Sequence, residues 1–242
     1  MTKAIKLKAL HKNYSIYTSD SLSENYYSDG VIESLKTVCN GDESNDIIVR
    51  YRSGEVFNWK TKYIDVYNMS QFGIAVSFDG TKVFAQTWEN GLLCFDAKTG
   101  KCIWKTKSKR GITNIVVNDD TVTVQVREYA MQLLDINTGE VIKEKKPSKS
   151  WGFTTLDNRH LICETTSKKW EIIEAQTLEV KETFREKELT SGKKDCCINH
   201  LTLGNDGIIH IKASQMIWDE TEKELRYYGF ENFVRSEYFS KK

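Results

Sequence analysis

Four histidines carry the side chains best suited to bind a metal or to move a proton: His11, His160, His200 and His210. Zinc sites combine several His, Cys or carboxylate ligands at short, regular spacing. His200 and His210 fall on neighbouring predicted strands, but no Cys or carboxylate stands at ligand spacing beside them. We therefore interpret the histidines as strand residues and predict no metal site.

The six cysteines at positions 39, 94, 102, 163, 196 and 197 include no Cys-x-x-Cys pair. A chain of 242 residues does not need disulfides to stabilise its core, and the cytosol keeps thiols reduced. Most of these cysteines lie in apolar predicted strands, which suits a small buried side chain. The sequence predicts free thiols throughout.

No catalytic motif is visible. Ser77 to Thr81 includes Asp79 and Gly80 but differs from the Asp-box of sialidases in its Asp-to-Gly spacing, so we interpret it as strand, turn and strand. The sequence has no nucleophile elbow, phosphate-binding loop or paired-carboxylate motif. We predict a non-enzymatic protein with no catalytic residues and no cofactor.

An internal repeat shows which elements must position any functional residue. Segments 92–104, 131–143 and 170–182 align, and their acidic residues Asp96, Asp135 and Glu174 recur every 39 residues. Each segment has the pattern of a strand, a four-residue turn and a second strand. Another strand pair precedes each one, rich in β-branched and aromatic residues. Four short strands in about 40 residues are typical of one blade of a β-propeller.

Two weaker copies flank the three clear ones. The upstream copy has predicted strands at 31–38, 47–51, 55–59 and 63–67, and the downstream copy at 198–203, 208–212, 215–218 and 223–228. Strand-like residues remain at 5–17 and 233–239. A sixth blade built from both termini would close the ring and cover two sheet edges. We therefore predict one all-β propeller domain over residues 1–242, with six four-stranded blades favoured and five as the alternative.

The segment from Phe95 to Trp104, with Asp96, Thr99 and Gly100, closely resembles the pyrroloquinoline-quinone-type propeller repeat, Ala-x-Asp-x-x-Thr-Gly-x-x-x-Trp. Cys94 takes the place of the Ala. The later copies depart from this pattern at the acidic, Gly and Trp positions, which are held by Glu174, Leu178, Lys143 and Glu182. The shared residues form turns and packing contacts, so the resemblance implies the fold and not a chemistry.

Quinone-dependent dehydrogenases with this repeat have about eight blades, lie outside the cytoplasm and bind a metal beside the quinone. This chain is too short for eight blades. Cys196-Cys197 is similar to the vicinal disulfide of those enzymes, but it follows Lys193-Lys194-Asp195 in a predicted charged connector. We expect both thiols to be reduced and dispensable. The outer-membrane assembly lipoprotein of propeller fold likewise requires an export signal, which we do not find in the first 30 residues, so we exclude that assignment.

The first 30 residues contain three lysines but no apolar run of the kind that a secretory signal or a membrane span requires. We therefore expect a cytoplasmic protein. The 35 Lys and Arg residues balance 34 Asp and Glu residues, which argues against a general nucleic-acid binder.

Blade topology sorts the loops into two faces. Blade-to-blade connectors and second-to-third loops share one face, which collects Lys107, Arg110, Lys146 and Lys149 and is predicted to be basic. The first-to-second turns on the opposite face carry Asp79, Asp119, Asp120 and Asp157. Asp is a good turn former, which explains part of the acidic face, whereas turn propensity gives no reason for clustered Lys.

Three aromatic residues fall on the basic face: Trp88, Tyr129 and Trp151. Trp and Tyr beside basic residues are frequent binding anchors, although Trp88 and Trp151 would equally suit packing between blades. We predict partner contact through the aromatic and basic residues of this face. The acidic face is the alternative.

A small single propeller with degenerate repeats resembles the immunity proteins encoded beside bacterial toxins, including ribonucleases of contact-dependent growth inhibition. The resemblance implies a protein that occludes a cognate toxin's active site, through the basic face or through an acidic face that imitates phosphates. The alternatives are a hydrolase or lyase with its site at the central channel, and a general interaction scaffold. Direct nucleic-acid binding through the basic face is disfavoured by the balanced charge.

Overall fold

The structure, a computed structural model, describes residues 13–18, 22–27, 30–39, 45–61, 74–87, 91–106, 111–126, 129–146, 153–157, 159–165 and 168–241. These residues form five antiparallel sheets, with one four-residue helix, α1 (Glu186–Leu189), and a 3-10 helix at Phe239–Lys241. The prediction of an all-β propeller with almost no helix is confirmed.

The chain divides into two compact units. The first comprises residues 1–152 and 175–178, and the second comprises residues 153–174 and 179–242. The prediction of one domain over residues 1–242 stays a prediction.

The first unit holds three sheets, in which neighbouring strands follow chain order. The first sheet contains β1 (Asn13–Thr18), β2 (Leu22–Tyr27), β3 (Ile32–Cys39), β4 (Asn45–Tyr51) and β5 (Val56–Thr61). The second contains β6 (Ile74–Val76), β7 (Lys82–Thr87), β8 (Gly91–Asp96) and β9 (Cys102–Lys105). The third contains β10 (Ile112–Val117), β11 (Thr121–Val126), β12 (Ala130–Asp135) and β13 (Val141–Lys145).

The second unit holds the other two sheets. The fourth contains β14 (Thr154–Thr155), β15 (His160–Glu164), β16 (Lys169–Glu174) and β17 (Val180–Arg185). The fifth has three strands, β18 (Cys196–Leu203), β19 (Ile208–Asp219) and β20 (Glu224–Arg235). The three clear repeats therefore correspond to the second, third and fourth sheets, as predicted.

The turn chemistry expected from the repeat is present. Asp96 Oδ1 accepts hydrogen bonds from the backbone N–H groups of Lys98 and Thr99 and from the Thr99 hydroxyl, and Asp135 Oδ1 caps its own turn in the same way. Gly100 and Gly139 take φ values of 69° and 72°, which favour glycine. The acidic residue and the glycine of the repeat therefore fix the turn between the third and fourth strands.

The Trp position of the repeat joins each sheet to the next turn. Trp59 on β5 donates its indole N–H to Ala97 O at 3.1 Å, and Trp104 on β9 donates to Ile136 O at 3.1 Å. A Cβ atom on Gly100 or Gly139 would lie 2.4 Å or 2.5 Å from the indole that covers it. The glycine thus serves two purposes, the positive φ of the turn and the close approach of the indole.

Buried apolar residues lie between successive sheets. One core cluster joins residues of the first and second sheets, including Leu35 and Phe95, and a second joins the second and third sheets, including Phe84 and Val124. In the second unit a cluster around Ile162, Ile172 and Ile211 packs with Leu189 of α1. Several strands are buried on both faces, which explains why the sequence shows apolar runs rather than strict alternation.

The predictions for the two flanking copies need correction. β5 holds Trp59 at the Trp position, so the predicted third strand of the upstream copy is the last of the five strands of its sheet, and β1 and β2 come before the strands predicted for this copy. The predicted strand 63–67 lies outside the described residues. In the downstream copy the predicted second and third strands form one strand, β19, because residues 212–215 contain no Gly, Pro, Asn or Asp and the buried alternation of Ile209, Ile211 and Ala213 continues.

The predicted sixth blade shared by both termini is not present among the described residues. β1 pairs with β2 in the first sheet, and Phe233 lies in β20, which pairs with β19 along its whole length. Residues 5–12 of the predicted terminal strand lie outside the described residues. Five sheets match the five-blade alternative.

Candidate functional site

Two residues of the predicted basic face meet at one end of the third sheet. Tyr129 lies in the turn between β11 and β12, and Lys146 follows β13, at the end where Val126 pairs with Ala130 and Met131 with Lys145. The Lys146 ammonium lies 4.3 Å from the centroid of the half-buried Tyr129 ring. This distance is that of a cation–π contact, so the sequence brought together an aromatic and a basic residue as predicted.

Lys146 also contacts a carboxylate. Its Nζ lies 2.8 Å from Glu144 Oε1, and Gln132 donates a hydrogen bond of 2.6 Å to Glu144 Oε2. Hydrogen bonding to Glu144, and then contact with Tyr129, raises the pKa of Lys146, while Lys146 holds the pKa of Glu144 below its ordinary value. The sequence-based analysis missed Glu144 and Gln132. Gln132 is half-buried on the same face of β12 as buried Leu134, and residues 141–144 of β13 are all exposed, so strand alternation does not single out either residue.

The other residues predicted for the basic face lie outside the described residues: Trp88, Lys107, Arg110, Lys149 and Trp151. Their grouping with Tyr129 and Lys146 stays a prediction.

The acidic turn residues divide into two kinds. Asp79 Oδ1 accepts hydrogen bonds from the Ser77 hydroxyl at 2.6 Å and from the Thr81 backbone N–H at 3.0 Å. Burial alone would raise the pKa of Asp79, but these hydrogen bonds outweigh it and leave the pKa below its usual value. Asp119 and Asp120, by contrast, are exposed in the β10–β11 turn. The structure thus supports the turn-forming explanation for Asp79.

Asp157 belongs to a buried histidine network that the sequence-based analysis missed. Both carboxylate oxygens lie 2.8 Å from Nδ1 of His160, and Nε2 of His160 lies 3.1 Å from the hydroxyl of Tyr238. His160 is buried, and its ring also packs edge-on against Phe239. Since both ring nitrogens are engaged, this histidine joins the β14–β15 turn to the segment after β20.

The two adjacent cysteines lie in β18, which corrects their predicted place in a charged connector. Successive residues of a strand point to opposite faces of the sheet, so the two side chains diverge. Cys196 Sγ lies 3.4 Å from Lys194 O, and both thiols are free, as are Cys94, Cys102 and Cys163. The strand geometry explains why this pair does not form the vicinal disulfide of the quinone enzymes.

The remaining histidines that the structure describes lie on neighbouring strands, as predicted, with His200 opposite Lys212 and His210 opposite Thr202. The described residues contain no group of three His, Cys, Asp or Glu side chains placed to hold a metal ion. In the same part of the chain, no helix has the length and apolar character needed to cross a membrane.

Comparison with known proteins agrees with this geometry. Residues 47–184, more than half of the chain, match the protein family described as outer membrane protein assembly factor BamB. The chain belongs to this family. The sequence-based exclusion of the outer-membrane assembly propeller is therefore wrong at the level of the family. The match begins in β4 and ends in β17, so it covers the Trp positions from Trp59 to Glu182.

Solved structures show the same fold at low identity. BamB from Moraxella catarrhalis superposes with a TM-score of 0.54 and 15% identity, over 90% of this chain and 63% of that one. The Cps50 (Swd1) β-propeller domain of Myceliophteria thermophila gives a TM-score of 0.50 and 14% identity, over 92% of this chain and 76% of that one. The chain thus spans less than two thirds of the BamB structure. No curated protein matches the sequence.

Proposed function

We propose that this BamB-family propeller is a non-enzymatic, cytoplasmic binding protein. It recognises another protein through the connector end of its sheets, which is the end that carries the second-to-third loops and the blade-to-blade connectors and includes Tyr129 and Lys146. The proposed partner is a cognate bacterial toxin, and the proposed role is immunity by occlusion of the toxin's active site. The proposed toxin class is a ribonuclease, whose acidic loops the basic face would contact; an acidic face would instead imitate the phosphates that a nuclease binds.

The contact between Tyr129 and Lys146 carries this proposal. A half-buried aromatic ring covered by a cation offers an apolar anchor and a charged rim in one place, the combination enriched at binding hot spots. Glu144 orients the Lys146 ammonium. An oriented donor loses less conformational freedom on binding than a free lysine side chain does.

The opposite end of the sheets in the same unit, the turn end, carries the first-to-second and third-to-fourth turns. It offers a matched control for the contact of Lys146 with Tyr129. Lys98 also lies over an aromatic ring, 5.1 Å from the centroid of Phe57, but in the turn between β8 and β9. Lys98 and Lys146 therefore share a residue type and a kind of contact while lying at opposite ends of their sheets.

The test measures binding of the full chain to the protein encoded directly upstream of it, where the proposal places the toxin gene, by isothermal titration calorimetry. We expect Tyr129→Ala to weaken binding by about 2 kcal/mol, the loss typical of a hot spot. We expect Lys146→Glu to weaken it and Lys98→Glu to leave it unchanged. Equal effects of both lysine variants, or normal binding by Tyr129→Ala, would reject the connector end as the interface.

A further inference from the structure

The fifth sheet has one strand fewer than the three sheets before it. In the second, third and fourth sheets a fourth strand pairs with the third, whereas among the described residues no strand pairs with the outer edge of β20. The residues that follow β20 turn away: Ser236 and the backbone N–H of Glu237 bind Glu182. The edge of β20 therefore presents twelve residues of strand without a neighbour in the described part of the chain.

The register of β19 and β20 fixes which backbone groups face this edge. The Ser236 N–H donates to Gly207 O at 3.0 Å, one step beyond the pair formed by Ile208 and Arg235. Hydrogen-bonded and non-bonded pairs alternate along an antiparallel ladder. The even-numbered residues of β20 thus bond to β19. The odd-numbered residues direct N–H and C=O outward: Leu225, Tyr227, Gly229, Glu231, Phe233 and Arg235.

The same odd-numbered residues place their side chains on the exposed face of the sheet. All six are exposed, including Leu225 at 52%, Tyr227 at 62% and Phe233 at 56% of the accessible surface. A Cβ atom on Gly229 would meet no atom within 4 Å. Large apolar side chains beside free backbone donors and acceptors are the usual features of a strand that pairs with another chain.

We propose that β20 pairs antiparallel with β20 of a second copy of this chain, about a two-fold axis at Phe230. A two-fold axis that passes through a residue pairs odd-numbered residues of one copy with odd-numbered residues of the other. The outward N–H and C=O groups of both copies therefore face each other. This register forms about twelve intermolecular hydrogen bonds, two for each bonded pair. The inference does not depend on the proposed function.

Side-chain complementarity indicates that the strand beside β20 is a second β20, and it also sets the register between the two strands. With the axis at Phe230, Tyr227 of each copy lies opposite Phe233 of the other, and aromatic cross-strand pairs stabilise a sheet. Glu231 then lies opposite Gly229. Moving the axis by one residue to Glu231 sets Glu231 opposite its own copy, and like charges directly opposite destabilise. The strand is therefore complementary to itself.

The experiment measures the dimer dissociation constant of the full chain by sedimentation equilibrium. Tyr227→Lys combined with Phe233→Lys sets like charges opposite at both aromatic pairs, and we expect the constant to rise about tenfold or more. Tyr227→Lys combined with Phe233→Glu sets opposite charges there and should stay within about threefold of the wild type. Site-resolved amide exchange should show protection at Tyr227, Gly229 and Glu231 in the dimer only.

The matched control is Ile217→Lys combined with Trp218→Lys. It adds the same charge and removes comparable exposed apolar surface, but it lies on β19, one strand away from the edge. We expect it to dimerise like the wild type. A monomeric wild type, a Lys/Lys variant that dimerises normally, a control as weak as that variant, or protection of the outward amides of Tyr227, Gly229 and Glu231 in the monomer would each overturn the proposal.

Discussion

At the scale of single residues, the Trp position shows how one site in a repeat keeps its role while its chemistry changes. Trp59 and Trp104 reach the next turn through an indole N–H. Lys143 at the same position donates to Thr177 O at 2.7 Å, and Glu182 accepts from the backbone N–H of Glu237 at 2.9 Å. Each residue that replaces Trp thus has a hydrogen-bond partner suited to it. The position can therefore depart from the family pattern and still join the sheet to another segment.

Trp104→Ala tests this role. The indole is buried and packs against Phe84, so its removal leaves a cavity and an unpaired carbonyl at Ile136. We expect the free energy of unfolding to fall by about 3–4 kcal/mol, as for other buried aromatic truncations. Lys143→Ala, at an exposed hydrogen bond, should cost about 1 kcal/mol or less. Urea denaturation measures both, and equal losses would contradict the assignment.

Asp79→Asn tests whether hydrogen bonds within the turn stabilise the charged form of an acidic turn residue. The pKa of folded Asp79 lies below its ordinary value. The carboxylate therefore contributes stability that is present above about pH 4, the unfolded pKa, and is lost as the pH falls through the folded pKa. Asn keeps an oxygen that can accept from Ser77 and Thr81 but does not titrate. We expect the variant to lose less stability than the wild type between about pH 5 and pH 2.

The measurement for Asp79 is the urea midpoint as a function of pH, with Asp119→Asn as the control because that residue is exposed in the neighbouring sheet's turn. Parallel acid profiles for the wild type and Asp79→Asn would show that the hydrogen bonds of this carboxylate do not favour its charged form.

At the scale of elements, the sequence predicted those strands whose boundaries are marked by turn residues. Asp79-Gly80, Thr99-Gly100 and Thr138-Gly139 each mark a turn, and the strands beside them lie where expected. β19 was divided wrongly because its middle carries no such mark. Tyr129 and Lys146 were predicted to lie on one face from loop topology, but their direct contact depends on side-chain directions that strand spacing alone does not determine.

Cysteine reactivity is a test of the element assignments. Burial raises the pKa of Cys94 to about 12, and Cys163 is likewise buried, so we expect neither to react in the folded protein. Cys102 and Cys197 are exposed in β9 and β18 and should react. Alkylation followed by peptide mass spectrometry measures this under native and unfolding conditions. Rapid native labelling of Cys94 would contradict the buried position of β8.

At the scale of the whole molecule, the net charge of +1 is compatible with the predicted division of acidic and basic residues between the two ends of the sheets. Four aspartates at the turn end accept hydrogen bonds from backbone N–H groups of their own turns: Asp79, Asp96, Asp135 and Asp157. Their negative charge is therefore explained by folding. Turn formation gives no such reason for the lysines predicted at the connector end, which is why charge reversal at the two ends is informative.

Two charge-reversal variants are compared by their rates of association with the protein encoded directly upstream, the proposed toxin, at low and at high salt. Reversing Lys107, Arg110, Lys146 and Lys149 to Glu should slow association steeply at low salt and less at high salt, because screening removes long-range attraction. Reversing Asp119 and Asp120 to Lys leaves Asp79, Asp96, Asp135 and Asp157 in place and should leave association unchanged. Thermal unfolding of each variant separates lost binding from lost stability. Should the aspartate variant fail while the lysine variant binds normally, the acidic end is the interface, and imitation of phosphates becomes the better mechanism.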